Sequence, residues 1–261
     1  MPEDLKSKKS EAAGKPQEKG EGIKQGQEIV PALAIEDSPL LKRVYNLESQ
    51  ATEEPEIECR FKMAHRPSEE ELAGCEVLDM SQTYVFASDK KKKPRRFRLR
   101  ITEERASDGA AVERLSIVYK HKEEGAAEKR KKGKGGIVST ERMLAFSRGD
   151  ASWEEYASEF GRLSLLTAQG WKPVEKTRYA IKHTLPNGHE CTIHLDMHHG
   201  HLEGFGRVEV EFDTPEDAQK VREMHARGES ALPDWTGEDV TDDERYGSKM
   251  LAQKGIPQGE A

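Results

Sequence analysis

The sequence predicts an α+β protein: an eight-stranded antiparallel β-barrel, or tunnel, with a polar lumen and helices packed outside. One supporting observation is residues 56–62, where every even position is charged and every odd position is apolar. A strand sends these two sets to opposite faces. Another is the hairpin signal Pro186-Asn187-Gly188 between two such segments. The third is the helical spacing of apolar residues in 152–169, because such helices need the strands' apolar faces as partners, which turns the charged faces inward.

The same signals place the other elements in chain order. Strands are predicted over 56–62, 82–86, 98–101, 115–120, 178–184, 190–195 and 204–212. Helices are predicted after a capping box at Ser68–Glu71, over 152–169, from Thr214 to Gly228 and over 246–254. The Lys-rich stretches 89–96 and 121–136 are interpreted as solvated loops, and the alternative for the first is a basic rim that attracts polyanions.

Composition divides the 261 residues into two parts. The first 28 residues are nearly all polar, Gly, Pro or Ala, so residues 1–50 are predicted to be a mostly disordered tail and residues 51–255 a single domain. Within the tail, residues 29–47 carry enough apolar side chains to dock as one short helix.

Several classes of protein are excluded by the same inspection. No run of about 18 apolar residues is present, so no membrane span is expected. The N-terminus lacks the layout of a signal peptide, and the three cysteines show no metal-ligand spacing and cannot all pair. A cytoplasmic protein is therefore predicted. A net charge of −7 argues against general nucleic-acid binding.

Pairs of like charges recur on single strand faces. They are Glu56 and Glu58, Arg98 and Arg100, and Glu209 and Glu211. Such pairs repel each other unless a group of opposite charge lies between them. Carboxylate pairs suit a hard divalent cation, and arginine pairs suit phosphate. Both kinds in one small domain predict a site for a metal ion and a polyphosphate.

The motifs resemble those of the CYTH domain, the triphosphate tunnel metalloenzyme family. Glu56-Ile57-Glu58-Cys59-Arg60 is similar to its E-x-E-x-K motif, although Arg60 replaces the lysine. Further matching segments follow in order: 98–100, Lys120, 176–179, 195–196, 209–211, 233–241 and 245–252. The resemblance covers roughly residues 55–255 and is to the bacterial inorganic triphosphatase type. It implies an eight-stranded antiparallel barrel whose lumen binds a triphosphate.

The resemblance also implies roles for individual residues. The metal ligands, for Mg²⁺ or Mn²⁺, would be Glu56, Glu58, Asp196, Glu209 and Glu211. The substrate-binding residues would be Arg98, Arg100, Lys120, Lys176 and Arg178, with Lys182 as a further candidate. The catalytic residues would be Glu56, Glu58, Arg60 and Lys249, the last closing one end of the tunnel. Glu141 matches the first acid of the family's middle strand, but Met143 stands where the second would be.

The implied function is metal-dependent hydrolysis of the terminal phosphoanhydride of inorganic triphosphate or a related triphosphate. One alternative is an adenylate cyclase of the same family, which forms cyclic AMP and pyrophosphate. Another is a non-catalytic polyphosphate-binding module, against which the intact glutamate pairs argue. The expected partner is a small triphosphate-containing molecule, with no membrane or specific nucleic acid, and the chain is expected to be a monomer or homodimer. A histidine metal site within 183–201 is a weaker hypothesis, because the spacing of known zinc motifs is absent.

Overall fold

The computed structural model describes most of the predicted domain. It covers residues 33–47, 56–92, 94–105, 111–121, 137–166, 170–229 and 231–258. The side chains of 56, 105, 120–121 and 137–141 are outside the described part. Most of the predicted tail, the turn at Asp108-Gly109 and the Lys-rich loop at 122–136 also lie outside the described residues.

The described residues form nine strands in one antiparallel sheet. The strands are β1 (Glu56–Met63), β2 (Glu76–Ser88), β3 (Pro94–Arg105), β4 (Ala111–His121), β5 (Ile137–Ser147), β6 (Val174–Thr184), β7 (Glu190–His198), β8 (Gly206–Phe212) and β9 (Thr236–Asp239). Their hydrogen-bonded order is β5-β4-β3-β2-β6-β7-β8-β1-β9. In addition, β1 pairs with β5 over three residues, so the first strand of that order also neighbours the eighth.

The predicted count of eight strands is corrected to nine within the described part. The extra strand is β9, four residues long, which pairs with the C-terminal half of β1 through Phe61 and Met63. One edge of β1 is thus divided between β5 at residues 56–58 and β9 at residues 61–63. Four residues are too few to show an alternation, so no pattern in the sequence predicts β9.

Four helices complete the α+β fold in the described part. They are α1 (Pro39–Tyr45), α2 (Trp153–Ser164), α3 (Pro215–Ala226) and α4 (Ser248–Lys254). The predicted start of α3 is confirmed: Thr214 caps it by accepting a hydrogen bond from the Asp217 backbone N–H, and proline holds the first position. None of these helices is long and apolar enough to cross a membrane.

The short helix predicted after Ser68 is wrong. The capping box itself forms, because the Ser68 backbone N–H donates to Glu71 and the Glu71 N–H donates to the Ser68 hydroxyl. The chain then makes only turns before β2 begins at Glu76. Gly74, at φ +77°, turns the chain in a conformation that few other residues adopt. The cap is therefore a local turn signal here and no helix grows from it.

The helices cover the apolar outer faces of the sheet, as predicted. One cluster lies under α1 and α2 and contains side chains of β2 to β5, among them Val85, Phe97, Ile117 and Phe146. A second lies under α3 and contains side chains of β1, β7 and β8, among them Cys59, Ile193 and Val210. Because strand side chains alternate, the charged residues between these apolar ones lie on the opposite, inner face.

A third apolar cluster lies at one end of the inner face. Tyr84 and Val174 contribute from β2 and β6, and Leu251 and Ala252 contribute from α4. The Lys172 backbone N–H donates to the Ala252 carbonyl at 2.8 Å, which fastens α4 to the start of β6. The C-terminal helix therefore covers this end.

Candidate functional site

Four neighbouring strands direct their charged residues to one inner face. The strand register sets Glu58 opposite Glu211, Arg60 opposite Glu209, Asp196 opposite both Arg207 and Arg178, and Lys176 opposite His198. This set spans β6, β7, β8 and β1 without a break. Alternation alone, carried through the hydrogen-bond register, therefore assembles the site.

Two carboxylates and two guanidinium groups form a closed ring on this face. Arg178 contacts Asp196 through Nε at 2.6 Å and also donates to Glu209. Arg207 contacts the same two carboxylates at 2.9 Å each. Lys176 adds a fifth charge by donating to Asp196. Every oxygen of Asp196 and Glu209 thus has a cationic donor, the arrangement in which buried charges are tolerated.

These contacts determine the charge states of the ring. Burial opposes ionisation of Asp196, but Arg178, Lys176 and Arg207 outweigh it and hold the pKa of its carboxyl well below its usual range. Burial likewise opposes ionisation of Glu209, and the two arginines again keep its pKa well below the usual value. Both carboxylates are therefore ionised throughout the neutral range.

Lys176 and His198 are paired across β6 and β7, and both side chains are buried. Burial, helped by the nearby Arg178, lowers the pKa of Lys176 to about 7 although Asp196 opposes that shift. Burial also lowers the pKa of His198 to about 3, so its ring is neutral. His198 Nδ1 lies 3.1 Å from the Phe205 carbonyl oxygen, to which it must donate, and this leaves Nε2 as an acceptor.

The residues nearest to a metal-binding arrangement are Glu58 and Glu211. They lie directly opposite each other on β1 and β8, and the Cβ atoms of such a pair are about 4.5–5.5 Å apart. Glu58 is buried and accepts from Arg60, and Glu211 Oε1 lies 3.1 Å from His194 Nδ1. Oxygen donors of this kind suit Mg²⁺ or Mn²⁺. Among the described side chains, no three His, Cys, Asp or Glu converge into a metal centre.

The predicted phosphate-binding arginines lie on the inner face of β3. Arg98 stands opposite Tyr84 and Val118, and Arg100 stands opposite Gln82 and Ser116. Their register partners on β2 and β4 carry uncharged side chains.

The structure places four other predicted residues away from these contacts or leaves their side chains outside the described part. The backbone of Glu56 pairs with Ser139 and that of Lys120 with Glu141, but their side chains lie outside the described part. Lys249 lies on α4 with an exposed side chain. Lys182, the further candidate on β6, is exposed and donates to the Thr192 hydroxyl.

The histidines within 183–201, all of which are described, do not form the metal site that was the alternative hypothesis. Each approaches a different partner: His183 the Ala231 carbonyl, His189 Asp217, His194 Glu211, His198 the Phe205 carbonyl, His199 Thr177 and His201 the Leu251 carbonyl. These histidines are close in sequence, but they lie on β6, on β7 and in the turns next to them, so their side chains point in different directions.

Arg207 is the functional residue that sequence reasoning missed. It has the largest fully buried side chain of the described residues and lies on the same face as Glu209 and Glu211. The signal was available, because extending the alternation of β8 by one step towards its N-terminus puts Arg207 on the charged face. The same reasoning applied to β7 would have added His194 and His198 to Asp196.

Part of the chain is similar in sequence to a known protein. No family model matches the chain. The chain is similar to an inorganic triphosphatase of Nitrosomonas europaea, with 38% identity over 113 residues, 42% of this chain and 66% of the relative. The match thus spans slightly less than two thirds of the relative's length. It confirms the resemblance to bacterial inorganic triphosphatases that the motifs predicted.

Two solved structures are also similar to this chain. One is an inorganic triphosphatase, 23% identical, with 77% of this chain and 97% of that chain covered and a TM-score of 0.40. The other is an adenylyl cyclase candidate from Hippeastrum that is described as having a dominant triphosphatase activity. It is 13% identical, with 78% of this chain and 98% of that chain covered and a TM-score of 0.40.

Proposed function

We propose that this relative of the bacterial inorganic triphosphatases is a metal-dependent hydrolase that cleaves the terminal phosphoanhydride of inorganic triphosphate or a related triphosphate. The observation that carries the proposal is the direct opposition of Glu58 and Glu211 on a face that also bears Arg178 and Lys176. Two carboxylates placed opposite each other repel unless a cation lies between them. The neighbouring basic groups supply what a polyanion needs.

The eight strands β1 to β8 are proposed to enclose the substrate as a tunnel. Support comes from the pairing of β1 with β5, which joins the two ends of the eight-strand order. In such a tunnel Arg98 and Arg100 on β3 face the acidic and basic residues of β6 to β1. A triphosphate would then be held from both sides.

The carboxylates divide into two roles in this proposal. Glu58 and Glu211, with Glu56 beside them on β1, would hold Mg²⁺ or Mn²⁺. Such an ion neutralises phosphate charge and activates a water molecule. Asp196 and Glu209 also belong to the predicted ligand set, but their oxygens already face cationic donors, so their main task would be to orient Arg178 and Lys176.

The chain's own residues supply positioning and charge. Arg98, Arg100 and Arg178 would bind the phosphate oxygens and stabilise the charge that develops on them during in-line attack. Arg60, held by Glu58, replaces the family's lysine and keeps a positive charge beside the carboxylate pair. Lys120 and Lys249 remain proposed contacts at the two sides of the substrate.

Product analysis with Mg²⁺ tests this function by offering inorganic triphosphate and ATP in parallel. Orthophosphate from triphosphate is the expected result. Cyclic AMP and pyrophosphate from ATP would instead identify a cyclase, and tight triphosphate binding without any product would identify a binding module. The cytoplasmic location and the monomeric or homodimeric state stay predictions.

A matched pair of variants tests the metal role. Glu58→Gln should abolish metal-dependent turnover while preserving the fold, because glutamine keeps the shape but loses the charge. Glu203→Gln, which changes an exposed glutamate, is the control and should leave turnover unchanged. Full activity of Glu58→Gln would remove the metal role.

A further inference from the structure

We propose that Arg207 is a positioning residue that orients the carboxylates of the site and fastens the C-terminal segment, residues 244–254, to them. This inference rests on the proposed function for its kinetic consequences. Its structural basis is independent, because Arg207 contacts four groups from three parts of the chain: Asp196, Glu209, the Tyr246 carbonyl and the Ser248 hydroxyl.

The contacts of Arg207 use the fork geometry of a guanidinium group. One terminal nitrogen lies 2.9 Å from both Asp196 and Glu209 and 3.1 Å from the Ser248 Oγ. The other donates to the Tyr246 carbonyl oxygen at 2.9 Å. A lysine has one compact ammonium group, so it has no second nitrogen to donate to the Tyr246 carbonyl while the first faces the carboxylates. Arginine therefore supplies a separate anchor on the C-terminal segment that lysine cannot supply.

On the site side, Arg207 fixes one half of the ring. Glu209 has one oxygen facing Arg207 and the other facing Arg178, so its carboxylate plane is set by both. Asp196 is held in the same way between the two arginines. Removing Arg207 would leave Arg178, a proposed phosphate-binding group, with partners that can rotate.

On the other side, Arg207 holds the residues that lead into α4. Tyr246 is fully buried, and Ser248 is the first residue of α4. Leu251 and Ala252 of the same helix pack on the third apolar cluster. Since one side chain joins both parts, the order of the C-terminal segment and the geometry of the site should depend on each other, and this dependence must be reciprocal.

The kinetic test compares Arg207→Lys with Arg222→Lys. Arg222 is a matched control, because it also bridges two carboxylates, Asp239 and Asp242, but on the outer side of the sheet. With saturating Mg²⁺ and at a temperature where both variants are folded, Arg207→Lys should lower kcat/KM for inorganic triphosphate by about 10–100-fold. Arg222→Lys should leave kcat and KM at wild-type values. A loss of thermal stability alone in both variants would overturn the proposal.

A second measurement needs no turnover. Hydrogen–deuterium exchange of residues 244–254 is followed with and without inorganic triphosphate, in the absence of divalent cations. Binding should slow exchange in the wild-type protein but not in Arg207→Lys, in which calorimetry should still detect triphosphate binding. Equal slowing in both proteins would refute the link.

The two proposals fail in different ways. Slowed exchange in a wild-type protein that hydrolyses no triphosphate would support the role of Arg207 and overturn the proposed function. Normal hydrolysis of triphosphate by Arg207→Lys would support the proposed function and overturn the role of Arg207. A wild-type protein that neither hydrolyses triphosphate nor changes its exchange on adding it would overturn both.

Discussion

Replacing Leu41 by alanine should destabilise the fold although Leu41 precedes the predicted domain. Leu41 lies on α1 and is completely buried in the cluster between α1, α2 and the outer face of β2 to β5. A Leu→Ala change at a buried site costs about 2–5 kcal/mol, from lost burial and the cavity that remains. For a domain of this size that corresponds to a fall in Tm of roughly 4–20 °C.

Leu165 provides the matched control. Its side chain is 87% exposed at the end of α2, so Leu165→Ala should change the free energy of unfolding by no more than about 0.5 kcal/mol. Guanidinium denaturation followed by tryptophan fluorescence and circular dichroism measures both variants. Equal unfolding midpoints for the two variants would refute the conclusion that α1 is part of the domain core.

Three further predictions concern the N-terminal cap of α3, the three cysteine thiols and the ring of charged side chains that contains Asp196. Thr214→Ala should cost about 1 kcal/mol in urea denaturation, because α3 loses its cap; an unchanged midpoint would contradict this. Burial raises the pKa of Cys59 to about 12 and of Cys191 to about 11, and partial burial also raises the pKa of Cys75. Because only the Cys75 thiol is partly accessible, it should react with a disulfide reagent at pH 8 before the other two, whereas all three react after unfolding. Asp196 has a pKa depressed below its unfolded value of about 3.9, so its stabilisation is complete above that pH and is lost as pH falls towards the folded pKa. Asp196→Asn should therefore make stability fall less steeply below about pH 4, and an unchanged slope would argue against the ring.

The inner face could be predicted from sequence because its signal is local. Glu58, Glu209 and Glu211 each alternate with apolar neighbours, and that alternation fixes the face before any partner is known. Which carboxylate meets which cation depends on register. The opposition of Glu58 and Glu211 arises from pairing between strands far apart in sequence, so no local pattern could show it. The double bridge through Arg178 joins consecutive strands, but it depends on their exact register and on side-chain conformation.

Two features could not be predicted for different physical reasons. The segment from residue 33 to 47 is too short to fold as an independent helix, and its order comes from packing on β4 and β5. The apolar residues of this segment predict a docked helix, but they do not indicate which strands it packs on. The alternation of β8 places Arg207 on the charged face, but its burial could not be predicted, because an arginine side chain usually reaches solvent and only tertiary contacts leave this one 1% exposed.

The divided edge of β1 has a consequence for how the protein is made. β1 is synthesised long before β8 and β9, yet it pairs with both, and the Arg60 backbone N–H donates to Thr241, 181 residues later. At about 5–20 residues per second, roughly 8–30 s separate β1 from β8 on the ribosome. Meanwhile β2 to β5 can pair with their sequence neighbours, so they can form before β1 pairs with β8. The carboxylates of Glu58 and Glu211 can meet only after β8 has been synthesised, so a nascent fragment that lacks β8 does not contain this carboxylate pair.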